Sequence, residues 1–291
     1  MSLLRSTLRI RARIFDASSS LHKTVATTPW TRAKARFILT GPPPNPFWQL
    51  GSGASTNTPS SKAWNEQEKD GWTTWNMQEM DMRDAYTLMT SAVIPRPIAF
   101  VSSLSEEGVP NLAPFSYFAM VGHNPPMLSV SFSLSPRRPK DTRENILATK
   151  EFVVNIISEP FIEAANATCV EAPEEVDEWK LSGLGMVPSD IVKLARVRES
   201  AVSFECTLHS SHDIQAPNSP PTTTLVLGLI KKAHIRNAVL SADKRTVDAE
   251  KLQAMSRLGG LAYARVGEKF ELKRPSWREE VEGWWDDAVK R

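Results

Sequence analysis

Ile94-Pro95-Arg96-Pro97-Ile98-Ala99-Phe100-Val101-Ser102-Ser103 is the stretch on which the reading of the fold turns. Its second half is a short apolar run of the kind that forms a buried strand. The two prolines around Arg96 fix the direction in which the guanidinium leaves the backbone. Ser105-Glu106-Glu107-Gly108 supplies a turn and the chain returns from Val109 onward, which predicts a β-hairpin. Upstream, Met82, Ala85, Tyr86 and Met89 recur at i, i+3, i+4 and i+7. That spacing predicts a helix over 81–91, ended by Pro95 and Pro97.

Further on, apolar residues alternate with serine from Met127 to Leu134, a half-buried strand. Lys140–Lys150 reads as a helix, Glu151–Ser158 as a mostly buried strand and Pro160–Thr168 as a short helix. Ala201–Leu208 and Thr224–Ile235 read as long strands, Asp248–Arg257 as a helix, and Ala262–Leu272 as a last strand or hairpin. Strands outnumber helices and most are joined by short turns. The expected fold is therefore mainly β with peripheral helices, an antiparallel barrel rather than a doubly wound sheet.

The flanks differ in kind. Residues 1–40 carry Arg5, Arg9, Arg11, Arg13, Arg32 and Arg36 among many Ser and Thr, with Asp16 as the one acid. A mitochondrial transit peptide has this composition; a basic tail on a cytoplasmic protein is the plainer reading. Residues 41–80 form a Pro/Gly/Ser-rich arm whose Phe47, Trp48, Trp64, Trp72 and Trp75 suit a segment lying across a groove. Residues 81–275 hold the regular pattern, and 276–291 read as a short Trp-bearing amphipathic helix. The formal charge of +2 calls for neither nucleic acid nor an anionic membrane, and no apolar run approaches the ~20 residues of a spanning helix. Two cysteines, Cys169 and Cys206, without C-x-x-C spacing give no disulfide framework or zinc ribbon.

No G-x-S-x-G, H-E-x-x-H or Gly-Lys-Ser phosphate loop occurs, and the five histidines show no metal-binding spacing, so no metal is expected. Catalysis would then fall to a cofactor. Three segments can serve one. Arg96 is set by its prolines, with Ser102 and Ser103 on the strand after it. In Asn111-Leu112-Ala113-Pro114-Phe115-Ser116, Pro114 interrupts a strand and implies a bulge or an edge. In Ser135-Pro136-Arg137-Arg138-Pro139-Lys140-Asp141-Thr142, Asp141 and Glu144 resemble an N-cap and capping box, with cations around a helix end fit for an anion. Taken singly, these are equally a rigid surface turn, an ordinary edge strand and a solvated basic turn.

Together and in this order, R-P-I-A-F-V-S (Arg96–Ser102), N-L-A-P-F-S (Asn111–Ser116) and K-D-T-x-x-N-I (Lys140–Ile146) resemble the flavin-reductase-like FMN-binding split barrels. Glu151–Asn155, Asp177-Glu178-Trp179 with Gly183-Leu184, and Arg257–Gly260 before Tyr263 add to the likeness, which spans about 81–275. The extension with Trp48-x-x-Gly51-x-Gly53 is similar to a fungal and plant branch. The resemblance implies a six-stranded split barrel, a homodimer and FMN near the subunit interface. It sets Arg96, Ser102 and Ser103 along the ribityl phosphate, and Asn111, Leu112, Ala113, Pro114, Phe115 and Ser116 against the isoalloxazine. Lys140, Asp141 and Thr142 would stand at the phosphate or ring oxygens. Arg137, Arg257 and Tyr263 are secondary contacts, as is His123, because Ala119 stands where the family commonly has Asn.

The implied activity is an FMN-dependent oxidoreductase of flavin-reductase type. NAD(P)H would reduce the flavin, and electrons would pass to free flavin, oxygen or another small-molecule acceptor. The alternatives are a tightly FMN-bound electron carrier or monooxygenase-like enzyme, and a non-enzymatic flavin-binding protein.

Overall fold

The apolar run after Pro97 becomes strand β1 (Ala99–Leu104), buried on both faces, and a turn at Ser105–Val109 returns it as β2 (Pro110–Phe115). A computed structural model describes residues 37–54, 57–135, 140–170, 176–215 and 219–289. The basic leader thus lies outside the described residues up to position 36, as does Arg137. Helix α1 (Met82–Ala92) forms where its periodicity predicts, with Asp81 accepting from the Arg83 amide as N-cap.

The remaining barrel strands are β3 (Phe118–His123), β4 (Pro126–Ser133), β5 (Glu151–Ile156), β6 (Val202–Ile214) and β7 (Thr223–Ile235). They pair antiparallel in the order β2-β1-β5-β6-β7-β4-β3. Among the described residues the sheet has seven strands rather than the expected six. A bend at Ser116-Tyr117 cuts β3 away from β2, and β3 folds back on β4. At that bend the Ser131 amide donates to the Tyr117 carbonyl at 2.9 Å, and the Phe115 and Phe132 rings meet edge to face at 4.6 Å. The curled sheet thereby closes on itself with β2 and β3 as its two end strands.

Period-two alternation divides β1 between two cores. Ala99 and Val101 pack inward with Leu128, Val130, Phe132, Phe152 and Val154. Ile98 and Phe100 pack outward with Leu112, Ile157, Phe161 and Trp179. Helix α2 (Asp141–Thr149) sends Ile146 into the inner core. The outer core is covered by α3 (Ile162–Ala167) and α4 (Glu178–Ser182).

Two sequence expectations change near the end. The helix expected over 248–257 spans only Ala249–Leu252. Gln253 turns left-handed at φ 51°, and Met255–Arg257 is drawn into a strand paired with Tyr263–Arg265. The stretch 262–272, expected as a strand or a hairpin, holds two short strands that do not pair with each other, and Glu268–Phe270 pairs in parallel with Ile38–Gly41 from the amino-terminal arm. In that arm the Trp48 indole donates to the Gly53 carbonyl at 2.6 Å, and Gly51 lies so close to Trp284 that a Cβ would come within 2.6 Å of the ring. No helix among the described residues is long and apolar enough to cross a membrane.

One buried charge holds a loop to the barrel. Glu205 on β6 is fully buried and accepts from the Asp190, Ile191 and Val192 amides at 2.8, 2.7 and 3.1 Å. His234 lies 2.5 Å from it, and Lys232 pairs with Asp190 beside it. Asp190, Glu205 and His234 offer ligand atoms within 4.8 Å of one another, but each carboxylate is already engaged by these donors. Burial pushes the Glu205 carboxyl up, yet the converging donors outweigh it and hold the pKa at about 2. A depressed carboxylate stabilises the fold fully above its ordinary value and loses that contribution as pH falls through the folded value. Glu205→Gln should lower unfolding stability by about 3 kcal/mol near neutrality. The deficit should vanish toward about pH 2, as followed by urea titrations at several pH values.

Candidate functional site

Among the described residues β2 ends the sheet and is laddered along one edge, to β1, in continuous register. Pro114 therefore marks an edge and not a bulge. By period two, the Leu112 and Pro114 backbone groups point outward together. The Leu112 amide is met by Glu178 Oε2 at 3.5 Å, and Pro114 has no N–H to satisfy.

At the start of β2 a buried polar cluster closes the barrel mouth. Thr142 Oγ1 donates to Asn111 Oδ1 at 2.6 Å, and Ser103 Oγ to the same oxygen at 3.3 Å. Asn145 Nδ2 donates to Ser103 Oγ at 3.0 Å, and Asn111 Nδ2 to Glu178 Oε2 at 3.3 Å. All five residues are at least nine-tenths buried. They come from β1, β2, α2 and α4, so the cluster fixes four elements against each other. Burial raises the Glu178 pKa above the ordinary carboxylate range; hydrogen bonds from its own backbone and from Leu112 oppose this, and Asp141 and Asp177 add to it.

Helix α2 starts beside this cluster. Its N-cap is Lys140, with no side-chain cap bond, and Asp141 is the first helical residue. The expected Asp141–Glu144 capping box is therefore not formed. The Arg143 and Glu144 amides turn back to the Lys140 carbonyl, at 2.8 and 3.1 Å, and a helix start with a lysine at its cap position favours an anion.

At the far end of β2, about 17 Å along an extended strand, stand different groups. Arg96 Nη1 donates to the Thr90 carbonyl and, at 2.9 Å, to that of Val93; Nη2 donates to Leu258 O at 2.9 Å, and Nε to Ser116 Oγ at 3.4 Å. The guanidinium thus ties the end of α1, the 257–260 loop and β2 together, away from Lys140 and Thr142. Ser102 faces opposite to Ser103 and donates to Ala195 O at 2.6 Å. Pro114 and Ser116 line a cavity of about 60 Å³ with Ile98, Cys169, Arg257 and Tyr263. There the Arg257 guanidinium lies 4.5 Å above the Tyr263 ring, and Tyr263 Oη is 2.7 Å from Asn166 Oδ1. Ser116 also borders an open cleft of about 640 Å³, walled by Met82, Tyr86, Met89, Val93 and Phe118. His123 is exposed at the far end of β3 and lines neither space.

The structure therefore gathers Ser103, Asn111 and Thr142, with Lys140 at the adjoining helix start. It sets Pro114, Ser116, Arg257 and Tyr263 at the other end of the same strand. Sequence reasoning gave no role to Asn145 or Glu178. A buried amide inside a helix is a poor helix former retained for a hydrogen bond, and Asn145 was the available signal.

Residues 89–265 match the family model described as flavin reductase like domain. The chain belongs to that family. A curated relative, YwrF of Bacillus subtilis, is 36% identical over 198 residues, covering 68% of this chain and 97% of its own. Among solved structures, nitrilotriacetate monooxygenase component B from Bacillus cereus superposes with a TM-score of 0.66 at 35% identity, over 69% of this chain and 98% of that one. The 2-nitrobenzoate 2-nitroreductase NbaA of Pseudomonas fluorescens gives 0.63 at 29% identity, over 70% and 98%. The split barrel and a flavin-dependent oxidoreductase character are thereby shown for this flavin reductase like domain.

Arg96→Ala would leave three carbonyls without their donor, the Thr90 and Leu258 ends of that tie among them. It should cost about 2–4 kcal/mol of unfolding free energy in urea. Arg96→Lys should recover only part of it, since an ammonium lacks the fork.

Proposed function

We propose that this protein is an FMN-dependent, NAD(P)H-linked oxidoreductase of flavin-reductase type. The reading rests on one observation: helix α2 begins without a side-chain cap, beside Lys140, against the open edge strand β2. The donor set suits a phosphate. Lys140 supplies a cation, the first-turn amides of Asp141 and Thr142 supply donors, and the Thr142 hydroxyl stands next to them. Asn111 and Ser103 hold Thr142 in place. The outward edge of β2 from Leu112 through Ala113, Pro114 and Phe115 to Ser116 would flank the ring, with Arg257 and Tyr263 at its far end. Arg96 serves this site as a strut that fixes Ser116 rather than as a phosphate ligand.

Bound FMN would supply hydride acceptance and the release of electrons to free flavin, oxygen or another acceptor. No side-chain acid or base is required of the protein, whose task is to bind, orient and exclude water. A second copy of the chain is the natural cover for the apolar face of α1, where Met82 is 81% and Tyr86 61% exposed. The cleft beside Ser116 supports a second reading, in which a small apolar organic substrate is reduced directly.

Purified protein should titrate with FMN and bleach in the visible flavin band on adding NADH or NADPH. FMN that binds but stays oxidised with both nucleotides would reduce the reading to a flavin-binding protein. Lys140→Ala should weaken FMN binding by about 1–3 kcal/mol, the scale of a charge-assisted hydrogen bond. Riboflavin, which lacks the phosphate, should lose much less; equal losses would place the phosphate elsewhere.

A further inference from the structure

The buried cluster at the barrel mouth has a direction, and Glu178 sets it. An ionised carboxylate only accepts, so Asn111 must turn Nδ2 toward Glu178 Oε2, at 3.3 Å. Asn111 Oδ1 then faces Thr142 and Ser103 and takes a hydroxyl hydrogen from each, at 2.6 and 3.3 Å. A hydroxyl has one hydrogen to give. With Glu178 ionised, Thr142 spends its hydrogen on Asn111 and has none for an anion at the start of α2. A protonated Glu178 is itself a donor. It can satisfy Oδ1 of an Asn111 amide turned over, whose Nδ2 then donates to Thr142 Oγ1 and releases the Thr142 hydrogen outward.

We propose that Glu178 is a positioning residue that couples binding of the flavin phosphate to uptake of a proton, the protonated form being the one that binds phosphate better. The proposal rests on the seat for the phosphate being the start of α2, as read above. Two effects act in the same sense: Thr142 regains a donor, and a buried negative charge beside a dianion is removed. The surroundings lean the same way. Helix α2 presents Asp141, and the other acid of α4's first turn, the capping Asp177, is shared with Lys180 at 3.5 Å. Strand β2 carries no titratable side chain, and α3 carries only the exposed Glu163. Desolvation accordingly keeps the Glu178 carboxyl above its ordinary range.

The test is FMN and riboflavin titration of the full chain, wild type and Glu178→Gln, from about pH 5 to about pH 8. Glutamine has no charge to lose, and its amide can serve either direction of the cluster. The two proteins should agree at the acid end, and at the alkaline end the variant should bind FMN about tenfold more tightly, one pH unit's worth of coupling. The phosphate's own titration is common to both proteins and cancels in the ratio. Riboflavin should show little difference at any pH. Parallel profiles, or a variant weaker throughout, would overturn the proposal and mark Glu178 as a structural prop. Should the variant not fold, calorimetry of the wild type at about pH 8, where the flavin phosphate is already a dianion, in two buffers of different ionisation heat decides the matter. Net proton uptake with FMN and none with riboflavin supports it; release or no exchange refutes it. A wild type that binds no FMN at any pH would remove the flavin reading and this coupling with it, an outcome distinct from binding with parallel profiles.

Discussion

A strand at the end of a sheet has one row of backbone groups without a ladder partner, and in this protein that row belongs to Asn111–Phe115. Most of what surrounds β2 answers that constraint. Proline at 114 removes one donor from the row, and the Glu178 carboxylate meets another at Leu112. Helices α3 and α4 cover the Leu112 side chain while leaving the strand's margin reachable.

The two ends of that strand are stabilised by different physics. At Asn111 the forces are neutral hydrogen bonds and one carboxylate, all buried, where each partner is needed because an orphaned polar group is costly. At Ser116 a single guanidinium spans segments that are distant in sequence, drawing Thr90, Val93 and Leu258 together. The chain thus holds the mouth by many short links and the far end by one long one. Apolar packing on both faces of β1 carries the rest of the barrel.

Much of this was legible in the sequence because local signals agreed with the fold. The β1–β2 hairpin, α1, α2 and β5 follow from turn residues and apolar spacing, and the three segments that line β2 stand out from their residue types. What stayed hidden depends on tertiary partners. Strand β3 escaped notice because Ser116-Tyr117 bends without glycine or proline. The helix after Asp248 stops early because Met255 finds the Ile157 carbonyl, at 3.0 Å, a ladder bond no periodicity announces. An arginine between two prolines looks the same whether it reaches for a ligand or for three carbonyls. Glu178 stands out in the sequence only as part of the Asp177-Glu178-Trp179 likeness, and its contact with Asn111 exists only once the fold buries both.

Ile38–Gly41 lies parallel to Glu268–Phe270, so the first described strand of the chain is completed by the last. During synthesis the barrel strands and the loop at Arg257 leave the ribosome before that partner exists. The early strand must wait, unpaired, while about 230 residues are added behind it. Closure of that pair cannot precede synthesis of Phe270, and deleting either strand would leave its partner's pairing edge bare.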